Sequence, residues 1–319
     1  MPAPLTHPSE IDRIHVNVRS EIDPLKVVAM RWAIPYRTSW RDVVSVLSSS
    51  VREQLRHNAW TDYRYELVRT QQERLVQVLR DHGVTVLLLE NVPSVHRQHY
   101  TRDIAFGIDD AFFVGRMETR YREPEQQTLA SLTPRLTKVV RLERGRIEGG
   151  DVMLYGDKVL VGLSEATDAA GVAELRRQLA LLHSPREIVP IPFAHRGVIH
   201  LDTKFNIVAD HCALFTRGSF LPDTLRWMEQ HFDLIEATAA ETRGLEINTV
   251  VLGGGHVIVS AQSERLATRL VQRGLTPIPV DYSEVTRWPG SFRCTTSRSN
   301  GRRDSERGSM AQRHWGRRR

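Results

Sequence analysis

The sequence predicts an α/β fold in which one small unit is repeated five times and closed into a ring, and three observations carry that prediction. Four stretches share a layout: a strand opened by a polar residue, a tight turn, then a second apolar strand. Each is followed by a helical pattern and a further strand, which gives ββαβ order. The opening residues Asp103, Asp151, Asp202 and Asn248 are spaced by 48, 51 and 46 positions. Units of this size cannot bury their apolar faces alone, and a closed ring solves that problem.

The elements follow in chain order. Residues 1–20 read as an N-terminal extension. Residues 26–30 form a strand, 62–81 a long helix whose apolar spacing reads as packing, and 84–89 another strand. This module lacks a hairpin partner, which is expected from the region around Cys294. The first complete module has strands over 103–108 and 111–114, a helix over 123–132 and a strand over 138–142. The second runs through 151–155, 158–161, a helix at 170–182 and a strand at 187–192. The third has 202–208, 212–215, a helix at 222–231 and a strand at 233–237; the fourth has 248–252, 257–259, a helix at 263–273 and a strand at 275–280. Gly253-Gly254-Gly255 falls in a hairpin and not at a strand-to-helix turn, so no phosphate is expected there. Residues 298–319 read as a basic, disordered tail, leaving 21–297 as one domain.

Charge and composition narrow the function. The net charge of +6 comes from residues 295–319, which hold eight arginines against Asp304 and Glu306. The rest of the chain is neutral, so no nucleic-acid partner is expected. A basic tail could engage an acidic partner, but a plain disordered end is the simpler expectation. No apolar run is long enough for a bilayer, and Met1-Pro2-Ala3-Pro4-Leu5 lacks the regions of a secretory signal. The expected location is the cytoplasm, where two cysteines stay reduced. Cys212 resumes an apolar strand and reads as a buried inert thiol. Cys294, in Pro289-Gly290-Ser291-Phe292-Arg293-Cys294-Thr295-Thr296, sits in a small polar setting and is a candidate nucleophile.

The ring brings the polar ends of the opening strands to a common axis. Those ends are Thr101-Arg102-Asp103, Glu148-Gly149-Gly150-Asp151, His200-Leu201-Asp202 and Cys294. Separate carboxylates, one imidazole and one thiol suit chemistry on a guanidinium. Carboxylates clamp that planar cation through paired hydrogen bonds. A thiolate can attack its carbon, and a histidine can protonate the leaving amine and then activate the incoming nucleophile. A zinc site of His200, Asp202 and Cys294 is the competing reading, but neither C-x-x-C nor H-x-x-x-H spacing supports it. No metal and no cofactor are expected. His195, His211 and His256 read as surface or loop residues.

These motifs, T-R-D, E-G-G-D, H-x-D and a late G-S-x-x-C-x-T segment, occur in this order, and with them the chain resembles the guanidino-group-modifying superfamily. That family includes arginine deiminase, dimethylarginine dimethylaminohydrolase and the arginine-dependent amidinotransferases. The resemblance covers roughly residues 20–297. It implies a pentein-type propeller of five ββαβ modules about a pseudo-fivefold axis. It also implies Cys294 as nucleophile, His200 as general acid/base and Glu148 as the acid that holds the histidine and the substrate. Asp103 and Asp202 would bind guanidinium nitrogens. Arg122 would bind a substrate carboxylate, and Asp151 closes the E-G-G-D turn on the substrate side.

Two departures matter. Ser164-Glu165-Ala166-Thr167 has alanine where the family's hydrolases carry an arginine for that carboxylate. After Cys294 the chain turns to Ser297-Arg298-Ser299-Asn300-Gly301-Arg302-Arg303 in place of an apolar strand, which predicts a damaged closing module. Hydrolysis of an arginine- or methylarginine-like compound is the leading expectation, with amidino transfer to an amine and a non-catalytic relic as alternatives. The expected partner is a small guanidino compound, with no membrane and with a homodimer as the assembly allowed.

Overall fold

The structure, a computed structural model, describes residues 5–8, 13–35, 64–93, 95, 98–288, 290–299 and 302–303. The strands form four three-stranded sheets, one four-stranded sheet and a two-stranded ribbon. Each three-stranded sheet is an antiparallel hairpin joined to a third, parallel strand. In the second module, Val152–Tyr155 pairs antiparallel with Lys158–Leu163, and Glu187–Pro192 returns parallel to the latter through helix Ala169–Leu181. The same plan places Pro222–His231 before Asp233–Glu236 and Glu264–Val271 before Thr276–Val280. A parallel return needs such a crossover, which is why each hairpin is followed by a helix.

The first module departs from the α-helix expected over 123–132. Residues Arg120–Ser131 form a 3-10 helix with Pro124 inside it. Proline has no N–H to give an i→i−4 bond, so the α form is interrupted where the sequence places it. The long helix is Tyr65–Asp81, preceded by Arg64, whose side chain pairs with Glu284 and does not cap the helix; residues 62 and 63 of the expected span lie outside the described residues. Its buried Val68, Leu75 and Leu79 pack with Val28, Val86, Ile258 and Tyr282, tying the terminal module to the fourth.

The expected boundaries at 20 and 297 do not match the packed region. Leu5–Thr6 adds a strand beside Thr85–Leu88, and Ile14, Val16 and Val18 are buried in the first module's core. At the other end, Ser297–Arg298 pairs antiparallel with Val28 and Ala29, completing the four-stranded sheet. Ser297, Arg298 and Ser299 are all buried. The closing strand expected to be damaged is therefore formed. Arg298 is tolerated because its guanidinium donates to the carbonyls of Ser20 at 2.8 Å and Val251 at 2.7 Å. Buried donors with partners carry little penalty. Residues 300, 301 and 304–319 of the expected tail lie outside the described residues.

One correction recurs. Asp103, Asp151 and Asp202 do not open strands; they sit in single helical turns just before them, Thr101–Ile104, Gly149–Asp151 and Leu201–Thr203. Cys294 occupies a similar turn before Ser297–Arg298, with the Thr295 N–H donating to the Ser291 carbonyl at 3.1 Å. These turns swing the side chains off the sheets and towards one another.

Candidate active site

The turns interlock through the backbone. The Arg102 N–H donates to the Cys294 carbonyl at 3.0 Å, and the Thr101 hydroxyl bridges the carbonyls of Ala29 and Thr295 at 2.8 and 3.1 Å. A Cβ on Gly290 would lie 2.3 Å from the Tyr100 ring, so the Cys294 turn can approach only with glycine there. A Cβ on Gly150 would lie 2.6 Å from the His200 ring. The E-G-G-D glycine thus makes room for the imidazole.

His200 is held by two acids. Its Nε2 shares a hydrogen bond with Glu148 Oε2 at 3.0 Å, and its Nδ1 lies 3.7 Å from Asp103 Oδ1. The Glu118 N–H donates to the other Glu148 oxygen at 2.9 Å. Burial pulls the imidazole towards neutrality, but Asp103, Glu148 and Asp151 outweigh it and push its pKa up to about 10. The imidazolium is the resting form at neutral pH. For Glu148, burial is overcome by the hydrogen bond and charge of His200, which hold the carboxyl below its usual range. Asp103 is different: burial raises its pKa against the pull of His200 and Arg122. Its Oδ1 is buried and has no hydrogen-bond partner.

Cys294 is buried, with its sulfur 3.9 and 3.8 Å from the two oxygens of Asp202. Burial, then the carboxylates of Asp202 and Asp103, hold the thiol well above its usual pKa, against the opposing charge of Arg293. Cys212 is also buried, and burial together with Asp233 raises it to about 11. It faces no candidate acid or base of the site and fits an inert thiol.

Two residues expected at the substrate are differently engaged. Asp151 accepts from the Leu201 N–H at 2.8 Å and from the Ser164 hydroxyl at 2.6 Å, so both oxygens hold the loop beneath His200. Burial lifts its carboxyl to about 7 against His200 and these donors. Both of its oxygens, expected at the substrate, are engaged within the fold. Arg122, expected to face a substrate carboxylate, turns inward. Its guanidinium donates to Asp103 Oδ2 at 2.7 Å and to both oxygens of Glu125 at 2.7 and 3.0 Å. A fork already engaged on two acids holds Asp103 in place. Ala166 is buried, with its N–H on the Ser164 hydroxyl at 3.0 Å.

Residues that the motifs did not single out complete the site. Arg293 donates to Asp202 Oδ2 at 3.0 Å and lies 3.2 Å from Glu21. Glu21 also lies 3.5 Å from Arg102. Burial would raise the Glu21 carboxyl, but Arg293, Arg102 and Arg298 hold it at about 2. Nothing in Ser20-Glu21-Ile22-Asp23-Pro24 marks this role, although an arginine directly before the candidate nucleophile was a usable signal for Arg293.

Ligand atoms of Asp103, Glu148 and His200 lie within 4.8 Å of one another, near enough for a cation. Glu148 and His200 already engage each other, and Arg122 already neutralises Asp103. That set reads as an acid–base cluster and not as an open group of metal ligands. Among the described residues, no helix is long and apolar enough to cross a membrane.

Comparison with known proteins identifies the family. The arginine deiminase family model matches residues 92–227, a span containing Asp103, Glu148, His200 and Asp202. The uncharacterized protein YkgA of Bacillus subtilis (strain 168) is 33% identical over 227 residues, covering 71% of this chain and 78% of that one. The dimethylarginine dimethylaminohydrolase of Mycobacterium tuberculosis is 27% identical over 245 residues, covering 75% and 79%. The chain belongs to the guanidino-group-modifying superfamily. This is a family of enzymes acting on guanidino C–N bonds. Its fold is shared with a solved amidinotransferase of Microseira wollei from a saxitoxin biosynthetic pathway, at a TM-score of 0.73 and 17% identity over 91% of this chain and 97% of that one.

Proposed function

We propose that this protein is a cysteine-dependent hydrolase of a small guanidino compound, acting through a thiouronium adduct on Cys294 and releasing a ureido product. The observation that supports this most is the buried Oδ1 of Asp103, which lies 3.7 Å from the His200 ring yet has no hydrogen-bond donor, on an acid whose charge reaches Cys294. A guanidinium N–H is the donor such an oxygen calls for, and Asp202 offers a second acceptor beside the sulfur.

The electrostatics suit a nucleophile formed on demand. In the free protein, burial and two carboxylates keep the thiol neutral. A bound cation would offset the carboxylate charge beside the sulfur and lower the thiol's pKa, the proton leaving to water. The thiolate then forms a bond to the guanidinium carbon. Imidazolium His200 gives its proton to the departing amine as the C–N bond breaks. Neutral His200 next takes a proton from water, whose oxygen adds to the same carbon. The C–S bond breaks as the added hydroxyl becomes the ureido C=O, and its proton passes to the departing sulfur, restoring the neutral thiol.

The four repeated sheets and the terminal sheet support five ββαβ modules about a pseudo-fivefold axis, forming one catalytic domain. A reduced compartment, the cytoplasm, suits the free thiol. With Ala166 at the usual arginine position and Arg122 turned onto acids, the preferred substrate has no carboxylate at its far end. Agmatine is the simplest such compound.

The test is turnover with arginine, methylarginines and agmatine, each with and without glycine, followed by mass spectrometry. Ureido product without glycine, fastest from agmatine, is expected. A new guanidine formed only when glycine is present would replace hydrolysis by amidino transfer. Silence on every substrate would reject both.

A further inference from the structure

We propose that Asn248 is a catalytic residue of this site, its side-chain amide donating to the Cys294 sulfur and stabilising the thiolate. The inference rests on the cysteine mechanism above and adds the group that holds its anion. Asn248 stands two residues before strand Val250–Gly253, at the module position that carries Asp103, Asp151 and Asp202 in the other hairpins. It is completely buried.

Its orientation is determined by its neighbours. Oδ1 accepts the backbone N–H groups of Arg293 at 2.9 Å and Cys294 at 3.3 Å. Turning the amide round would set N–H against N–H, so the network assigns the oxygen to that side. Nδ2 therefore faces the other way, to the Asp202 carbonyl at 3.0 Å and Cys294 Sγ at 3.3 Å. Among the described residues, no other side-chain N–H donates to that sulfur.

The surrounding charges make this donor important. Asp202 and Asp103 are anions near the sulfur, Arg293 is the opposing cation, and Tyr282 contributes a phenol held neutral by burial. Arg293 is itself engaged by Asp202 and Glu21, so little of its charge is left for the sulfur. An aspartate at 248, as in the other three modules, would add a third anion. An amide supplies the donor without the charge. It also links the sulfur to its own backbone, since the same side chain receives the Cys294 N–H. Forming the thiolate thus strengthens an existing contact and requires no rearrangement.

The test reads the thiol and not turnover. Full-length wild type, N248A and N248S are alkylated with iodoacetamide from about pH 6 to 11, with Cys294 resolved from Cys212 by peptide mass spectrometry. In variants shown folded by thermal melting, the alkylation midpoint should move up, and the rate near pH 8 should fall about tenfold or more. In the wild type, the isotope-labelled side-chain amide resonance of Asn248 should titrate with the same midpoint as the thiol. That readout needs no variant, and a merely structural amide would not produce it. Unchanged midpoints in folded variants, or an Asn248 resonance indifferent to thiol ionisation, would overturn the inference and leave hydrolysis standing. A wild-type Cys294 that resists alkylation throughout would remove the nucleophile and the inference with it.

Discussion

Two buried charge clusters lie on either side of Asp202, and they differ in whether their polar atoms are satisfied. On one side Glu21 gathers Arg293 and Arg102, with Arg298 close enough to lower its pKa further. Arg102 also donates to the carbonyls of Gly149 and Val152 at 2.9 and 2.7 Å, and Arg293 to Val152 at 2.8 Å. On the other side His200 joins Glu148 and Asp103, whose charge also reaches Cys294, and there Asp103 Oδ1, 3.7 Å from the imidazole, has no hydrogen-bond partner. The first cluster is complete and holds turns together. The second keeps one carboxylate oxygen, Asp103 Oδ1, without a hydrogen-bond donor. Buried charge alone would not have told them apart; the unmatched acceptor does.

Breaking the open cluster should affect turnover most. Asp103→Asn removes an anion from the proposed clamp, and kcat/KM for the best guanidino substrate should fall on the order of a hundredfold to a thousandfold in protein that remains folded, beyond any loss of stability from leaving Arg122 short of an anion. A variant with unchanged kinetics would mean that Asp103 is a structural acid like Glu21.

Breaking the closed cluster should act on stability. Glu21→Gln leaves buried arginines short of an anion and should cost about 3 kcal/mol at neutral pH, read by denaturant unfolding. The pH dependence gives the sign. Glu21 is held at about 2 against an ordinary 4.5, so its contribution is complete above about 4.5 and is lost as pH falls towards 2. The gap between variant and wild type should close across that window. A gap that persists in acid would assign the loss to packing.

Arg122→Lys sharpens the boundary between the clusters. Lysine keeps the charge but cannot fork onto Glu125 while reaching Asp103, so kcat should drop about tenfold, with the effect on KM similar for substrates with and without a carboxylate. A KM increase confined to carboxylate-bearing substrates would restore Arg122 to direct substrate binding. The smallest effect belongs to the other thiol. Cys212→Ala should cost about 1 kcal/mol of stability or less and leave turnover intact.

Much of the scaffold was legible because its signals are local. Helix Pro222–His231 and strand Glu187–Pro192 match their expected spans, each set off by proline and by apolar periodicity. Counting modules placed the partner of the 26–30 strand in the region around Cys294, and the strand that pairs there is Ser297–Arg298, a segment read as the start of a damaged tail. That misreading has a physical cause. An arginine beside Ser, Gly and further arginines reads as solvated, and what satisfies it are carbonyls at Ser20 and Val251, remote in sequence. The helical turns bearing Asp103, Asp151 and Asp202 were missed because three or four residues show no period.

The site divided the same way. His200 meets Glu148 and Asp103, and Cys294 meets Asp202. Asp151 and Arg122 do not face outward, because each found a closer partner, Ser164 and Leu201 for one and Glu125 for the other. Glu21 left no trace in a linear pattern, since its ion pairs join residues at opposite ends of the chain.

The central claim is that the cluster around Cys294 grips a guanidinium so that the sulfur can attack it. Rapid acid quenching during turnover, followed by peptide mass spectrometry, tests it most directly. The account predicts an amidino adduct on the Cys294 peptide that forms with substrate, decays as ureido product appears, and is absent from the Cys212 peptide. Turnover with an unmodified Cys294 at every time point would contradict it.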